Sequence, residues 1–94
     1  MKLVLSGPAV TDLELIAEHA MATQFARAEQ IIGELRDCMK SLVQQSAQAP
    51  ERGMGRALCG RFSIHYETTE ATLAVSRVLR RRMPPLGVTL NEMI

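Results

Sequence analysis

The apolar positions of residues 12–48 recur at alternating steps of four and three. Met21, Phe25, Ala28, Ile32, Leu35, Met39 and Leu42 follow one another at that spacing, which lays seven side chains along one stripe of an α-helix. The segment holds no proline and only one glycine, Gly33. Leu13, Ile16, Ala17 and Ala20 begin the apolar face. Ile31 and Cys38 flank the stripe and widen it beyond a narrow coiled-coil seam. Thr11 followed by Glu14 reads as a capping box, and Asp12 and Glu14 sit where the helix dipole favours negative charge. The pattern predicts a helix over 11–48, roughly 55 Å long at 1.5 Å per residue.

Ser46, Ala49-Pro50 and Gly53 to Gly55 end that helix and mark a turn over 49–56. The stretch that follows supports two patterns. As a strand, Leu58, Gly60, Phe62, Ile64 and Tyr66 alternate with Cys59, Arg61, Ser63, His65 and Glu67, and Thr68 or Thr69 caps a helix to Arg82. As a helix over 57–83, Ala57, Gly60, Ile64, Ala71, Ala74, Val75 and Val78 form one stripe, and Leu58, Phe62 and Tyr66 form another.

Length favours the helical pattern, because a second helix matching the first covers its stripe better than a small sheet. The expected fold is therefore all-α: a long antiparallel helical hairpin. One hairpin cannot bury both stripes, so two copies are expected to pair as a homodimeric four-helix bundle. The seven-residue stripe from Met21 to Leu42 would be its interface. The alternative is α+β, with short β-strands at 2–6, 58–66 and 86–91 packed on helices at 12–48 and 69–82. The β-branched Ile64, Thr68, Thr69 and Thr72 support it.

The 94 residues fit one small domain: an extended arm over 1–10, the two helical segments with their turn, and a tail over 84–94. Phe25, Phe62 and Tyr66 are its only aromatics, so the core must be aliphatic and methionine-rich. No apolar run is long enough for a membrane span or a secretory leader. Cys38 and Cys59 fit a reduced thiol pair in a cytoplasmic protein, although a bridge between them is possible in space.

Charge is unevenly divided. Residues 1–47 carry four basic and six acidic side chains, residues 48–94 seven arginines and four acidic ones. On a helix, Arg77, Arg80 and Arg81 share one face at i, i+3 and i+4. Such a face suits nucleic-acid phosphates, or simply offsets the helix dipole. Val75 to Leu79 resembles a recognition helix of helix-turn-helix repressors, but Arg61 to Thr69 lacks the preceding helix and tight turn.

No reactive constellation accompanies these surfaces. His19, Cys38, Cys59 and His65 lack the local spacing of a zinc chelate. Glu14, Glu18 and His19 miss the Glu-x-x-His spacing of carboxylate-bridged metals. Cys59 and His65 lie about 20 Å apart along a strand, and no nucleophile elbow or phosphate loop is present. The chain is expected to be non-enzymatic and cofactor-free: a regulatory, adaptor or inhibitor protein acting on an unidentified protein partner. A nucleic-acid-binding regulator using Arg77, Arg80 and Arg81 is the alternative.

Overall fold

The computed structural model describes residues 1–48 and 52–81. The strand expected at 86–91, the tail, and residues 49–51 of the turn lie outside the described residues. In chain order the elements are β1 (Lys2–Leu5), α1 (Gly7–Thr23), a 3₁₀ turn (Phe25–Arg27), α2 (Ala28–Gln48), β2 (Gly53–Cys59), β3 (Phe62–Thr68) and β4 (Thr72–Arg80). The strands form one mixed sheet in the order β1-β4-β3-β2, parallel only between β1 and β4. The fold is α+β. This corrects the all-α hairpin, and the homodimeric four-helix bundle built on it falls too.

The α+β alternative was nearer, but it misplaces two elements. Residues 58–66 are not one strand, because the chain turns back at Gly60-Arg61. Gly60 has φ +57°, the left-handed geometry that a two-residue hairpin turn takes at its first position. Residues 72–80 are a strand and not a helix. Leu73 and Val75 are fully buried at alternate positions, with Val78 buried further along. That alternation is the β period.

The long helix is broken at Gln24, whose φ of −142° and ψ of 53° leave helical space. Neither proline nor glycine causes this. A straight rod of roughly 55 Å overhangs a sheet whose longest strand, β4 with nine residues, spans only about 30 Å. Breaking the rod lets both halves cover the sheet. Locally, the Thr23 hydroxyl donates to the His19 carbonyl at 2.7 Å, a back-bond that bends helices.

The start of α1 is also earlier than the capping box predicts. Ser6 is the N-cap, its hydroxyl accepting from the Ala9 amide at 3.1 Å. Pro8 sits in the first turn, where a missing N–H is harmless. The same hydroxyl donates to the Ser76 carbonyl at 2.8 Å, and the Ser6 amide donates to Val75 at 3.0 Å. Ser76 is the extra residue of a β4 bulge, since Tyr66 pairs with Val75 and His65 with Arg77.

The core joins Leu35, Met39 and Leu42 of α2 to Ile64, Leu73, Val75 and Val78 of the sheet, with Ala9 of α1. Four members of the sequence stripe, Ala28, Leu35, Met39 and Leu42, are thus buried inside one chain. Met21 and Phe25, beside the break, are 52% and 73% exposed. Cys38 and Cys59 are bonded as a disulfide with Cα atoms 6.3 Å apart. This corrects the reduced pair: the bridge fastens α2 to the end of β2.

Candidate functional site

A groove of about 440 Å³ runs between the helices and β1. Leu3 and Leu5 reach it from β1, Val10, Leu13 and Ala17 from α1, and Ile32, Leu35 and Met39 from α2. Arg36, Lys40 and Glu14 supply its polar atoms. The local reason is periodicity. Leu3 and Leu5 share a strand face at i, i+2, and Val10, Leu13 and Ala17 share a helix face at i, i+3, i+7. Sequence reasoning passed over Val10, left Leu3 and Leu5 in an extended arm, and absorbed Leu13, Ala17, Ile32, Leu35 and Met39 into a single helical face. The second stripe on α1, turned away from Ala9 and Asp12, was the available signal.

One side of the groove is β1, which among the described residues pairs only with β4. Among those residues its outward backbone groups have no strand partner, and Leu5 and Val10 beside it are 36% and 40% exposed. An open edge next to an apolar groove is a surface on which another chain can lay a helix or a strand.

An ionic junction ties α1, one wall of the groove, to β4. β1 has four residues and β4 nine, so past Val75 the β1 side of β4 has no strand to pair with among the described residues. Asp12 of α1 takes that place. Its carboxylate accepts from the Val78 amide at 2.9 Å and from Arg77 Nε and Nη2 at 2.7 and 2.9 Å. The Arg77 guanidinium holds the Asp12 carboxyl below its ordinary range; burial opposes this, and the Val78 amide reinforces it. The same contact raises Arg77.

Arg77 is therefore committed to Asp12. Arg81 donates to the Gly60 carbonyl at 3.0 Å, and Arg80 lines one cleft at the β2–β3 turn and another against α1. The three arginines expected to share a helical face are engaged in three different ways. Of the histidines, His19 lines an apolar pocket with Leu15, Ile16 and Phe62, and His65 sits on β3, on a different element. Among the described residues no group of His, Cys, Asp and Glu is placed to hold a metal ion. No described helix is long and apolar enough to cross a membrane.

Known proteins share this arrangement. A solved chain of the chromosomal ParDE TA system from P. aeruginosa superposes with a TM-score of 0.75, at 20% identity, over 87% of this chain and 97% of that one. At that identity the likeness is one of fold. No curated protein matches the sequence. The family model described as "ParE toxin of type II toxin-antitoxin system, parDE" matches residues 3–85, a span that takes in the groove, the ionic junction and, Lys2 apart, the strands of the sheet. The chain belongs to the ParE toxin family.

Proposed function

We propose that the chain is the toxin of a type II toxin–antitoxin pair, working in the cytoplasm by binding and not by catalysis, with gyrase as the target that the family implies. The groove between β1, α1 and α2 is where its antitoxin docks. One observation carries this reading: an apolar trough with two cations, Arg36 and Lys40, one helical turn apart on its α2 wall. That combination suits an amphipathic segment whose apolar face fills the trough and whose acidic residues meet the cations. A toxin must be neutralised reversibly, and a preformed groove beside an open strand edge meets that need without chemistry.

The test is titration of the cognate antitoxin by calorimetry against the native chain, Val10→Asp, and a double Arg36→Glu, Lys40→Glu variant. Val10 is 40% exposed, so its replacement should leave the circular dichroism unchanged. Both variants should lose affinity by about tenfold or more, equivalent to at least ~1.4 kcal/mol. The charge-reversed variant should lose most at low ionic strength. Unaltered affinity in both would remove the groove from the interface.

A further inference from the structure

The disulfide and the remaining arginines lie outside the groove, and they lie together. Cys59 forms part of the wall of a cleft of about 220 Å³ at the β2–β3 turn. Arg27 from the 3₁₀ turn, Arg61 from the hairpin turn and Arg80 from the end of β4 share that wall. All three are exposed, and among the described residues none forms an ion pair. Glu34 of α2 is the single carboxylate on the wall. Cys59 itself is 7% exposed, so the cleft is a cationic mouth over the buried Cys59 end of the disulfide.

Charge of this sign acts on the bond in two ways. It concentrates small anions at the mouth, and it stabilises the Cys59 thiolate when the second displacement releases it, making that sulfur a better leaving group in that step. A disulfide in a cytoplasmic chain, the setting proposed above, is characteristically exchangeable rather than permanent. We propose that the Cys38–Cys59 bridge is a thiol-exchange site for an anionic small thiol of the glutathione class, received at Cys59 by Arg27, Arg61 and Arg80. The two carboxylates of such a thiol meet the guanidinium groups, and its ammonium meets Glu34.

The exchange proceeds in two displacements. The incoming thiolate forms a bond to Cys59 Sγ, the bridge breaks, and its electron pair leaves on Cys38 Sγ, which takes a proton from solvent. A second thiolate then attacks the outer sulfur of the mixed disulfide and releases Cys59 as a thiolate, which is protonated in turn. The protein disulfide gains two electrons and two protons, and two small thiols are oxidised to their disulfide. The α2–β2 fastening is thereby opened or closed by the surrounding thiol pool. None of this depends on where the antitoxin docks.

The oxidised full-length chain is mixed at low salt with glutathione, which is anionic, or with cysteamine, which is cationic. Loss of the bridge is followed by mass spectrometry of alkylated samples, with rates corrected for each thiol's thiolate fraction. Glutathione should react faster by about tenfold or more, an advantage that fades at high salt. The first mixed disulfide should map to Cys59. Arg27→Gln, Arg61→Gln and Arg80→Gln together should abolish the preference; Arg61→Gln alone, in an exposed turn, should reduce it and guards against misfolding of the triple variant. Equal rates for the two thiols, a preference that survives these replacements, or glutathione trapped on Cys38 would overturn the proposal.

Discussion

The two edges of the sheet are built by opposite means. β2 has seven residues in a continuous antiparallel ladder with β3 and is bonded covalently to α2 through Cys59. Its inner face is tightly filled, for the Tyr66 ring lies across Gly55 so closely that a Cβ there would sit 2.6 Å from the ring. β1 has four residues, no covalent tie and, among the described residues, no outer strand partner, and the sheet beyond its end is completed by a carboxylate, Asp12. Among the described residues both are edge strands; one is tied covalently to α2 and the other is not. The tie fixes the sheet against α2, so the groove that α2 walls keeps a defined shape.

Three changes break or sharpen this contrast. The largest effect should come from Cys38→Ser with Cys59→Ser. The bridge joins residues 21 apart in sequence, and losing that constraint on the unfolded chain should lower stability by about 3 kcal/mol. Urea denaturation of the double variant against the oxidised chain measures it; an equal midpoint would show that β2 does not need the tie.

Asp12→Asn should lower stability by about 2 kcal/mol at neutral pH, since the charged bonds to Arg77 are lost while an oxygen remains for Val78. Because the Asp12 carboxyl is held below its ordinary value in the folded chain, its contribution is complete above the unfolded value of about 3.9. It fades as pH falls through the lower folded value. The gap between native chain and variant, followed by thermal melts, should therefore narrow below about pH 4. A gap that stays constant to pH 2 would take the pair out of the stability of the β1 end.

The smallest effect should come from Gly55→Ala, about 1 kcal/mol, because the obstructing atoms belong to the Tyr66 side chain, which can shift. Thermal denaturation reads it, and Gly55→Ala with Tyr66→Leu should restore most of the loss.

Much of the helical layer was legible in the residues. The spacing from Ala28 to Leu42 drew one face of a helix, and Ala28, Leu35, Met39 and Leu42 on that face are buried within the chain, while Ile32 is half-buried. Thr11 and Glu14 suggested a helix start, but Ser6 won, because its hydroxyl caps the helix and also meets the free carbonyl of the β4 bulge. Residues 57–81 misled because small and β-branched side chains there satisfy periods of two and of 3.6 alike. The deciding feature, the turn at Gly60, is one glycine inside an otherwise unbroken alternation. The groove was hidden for a different reason: Leu3 and Leu5 read as an extended arm and Leu13 as part of a helical face, and only the packing of β1 beside α1 and α2 brings them together.

By itself the sequence determined one long amphipathic helical region, an aliphatic core and the lack of any local chemical motif, since each depends on neighbours within a few turns of chain. Only the tertiary structure decided the sheet, the break at Gln24, the Asp12–Arg77 junction and the Cys38–Cys59 bridge. Arg77 lies 65 residues from Asp12 and Cys59 lies 21 from Cys38. Partners so far apart are chosen by the packing of whole elements, which no local periodicity records.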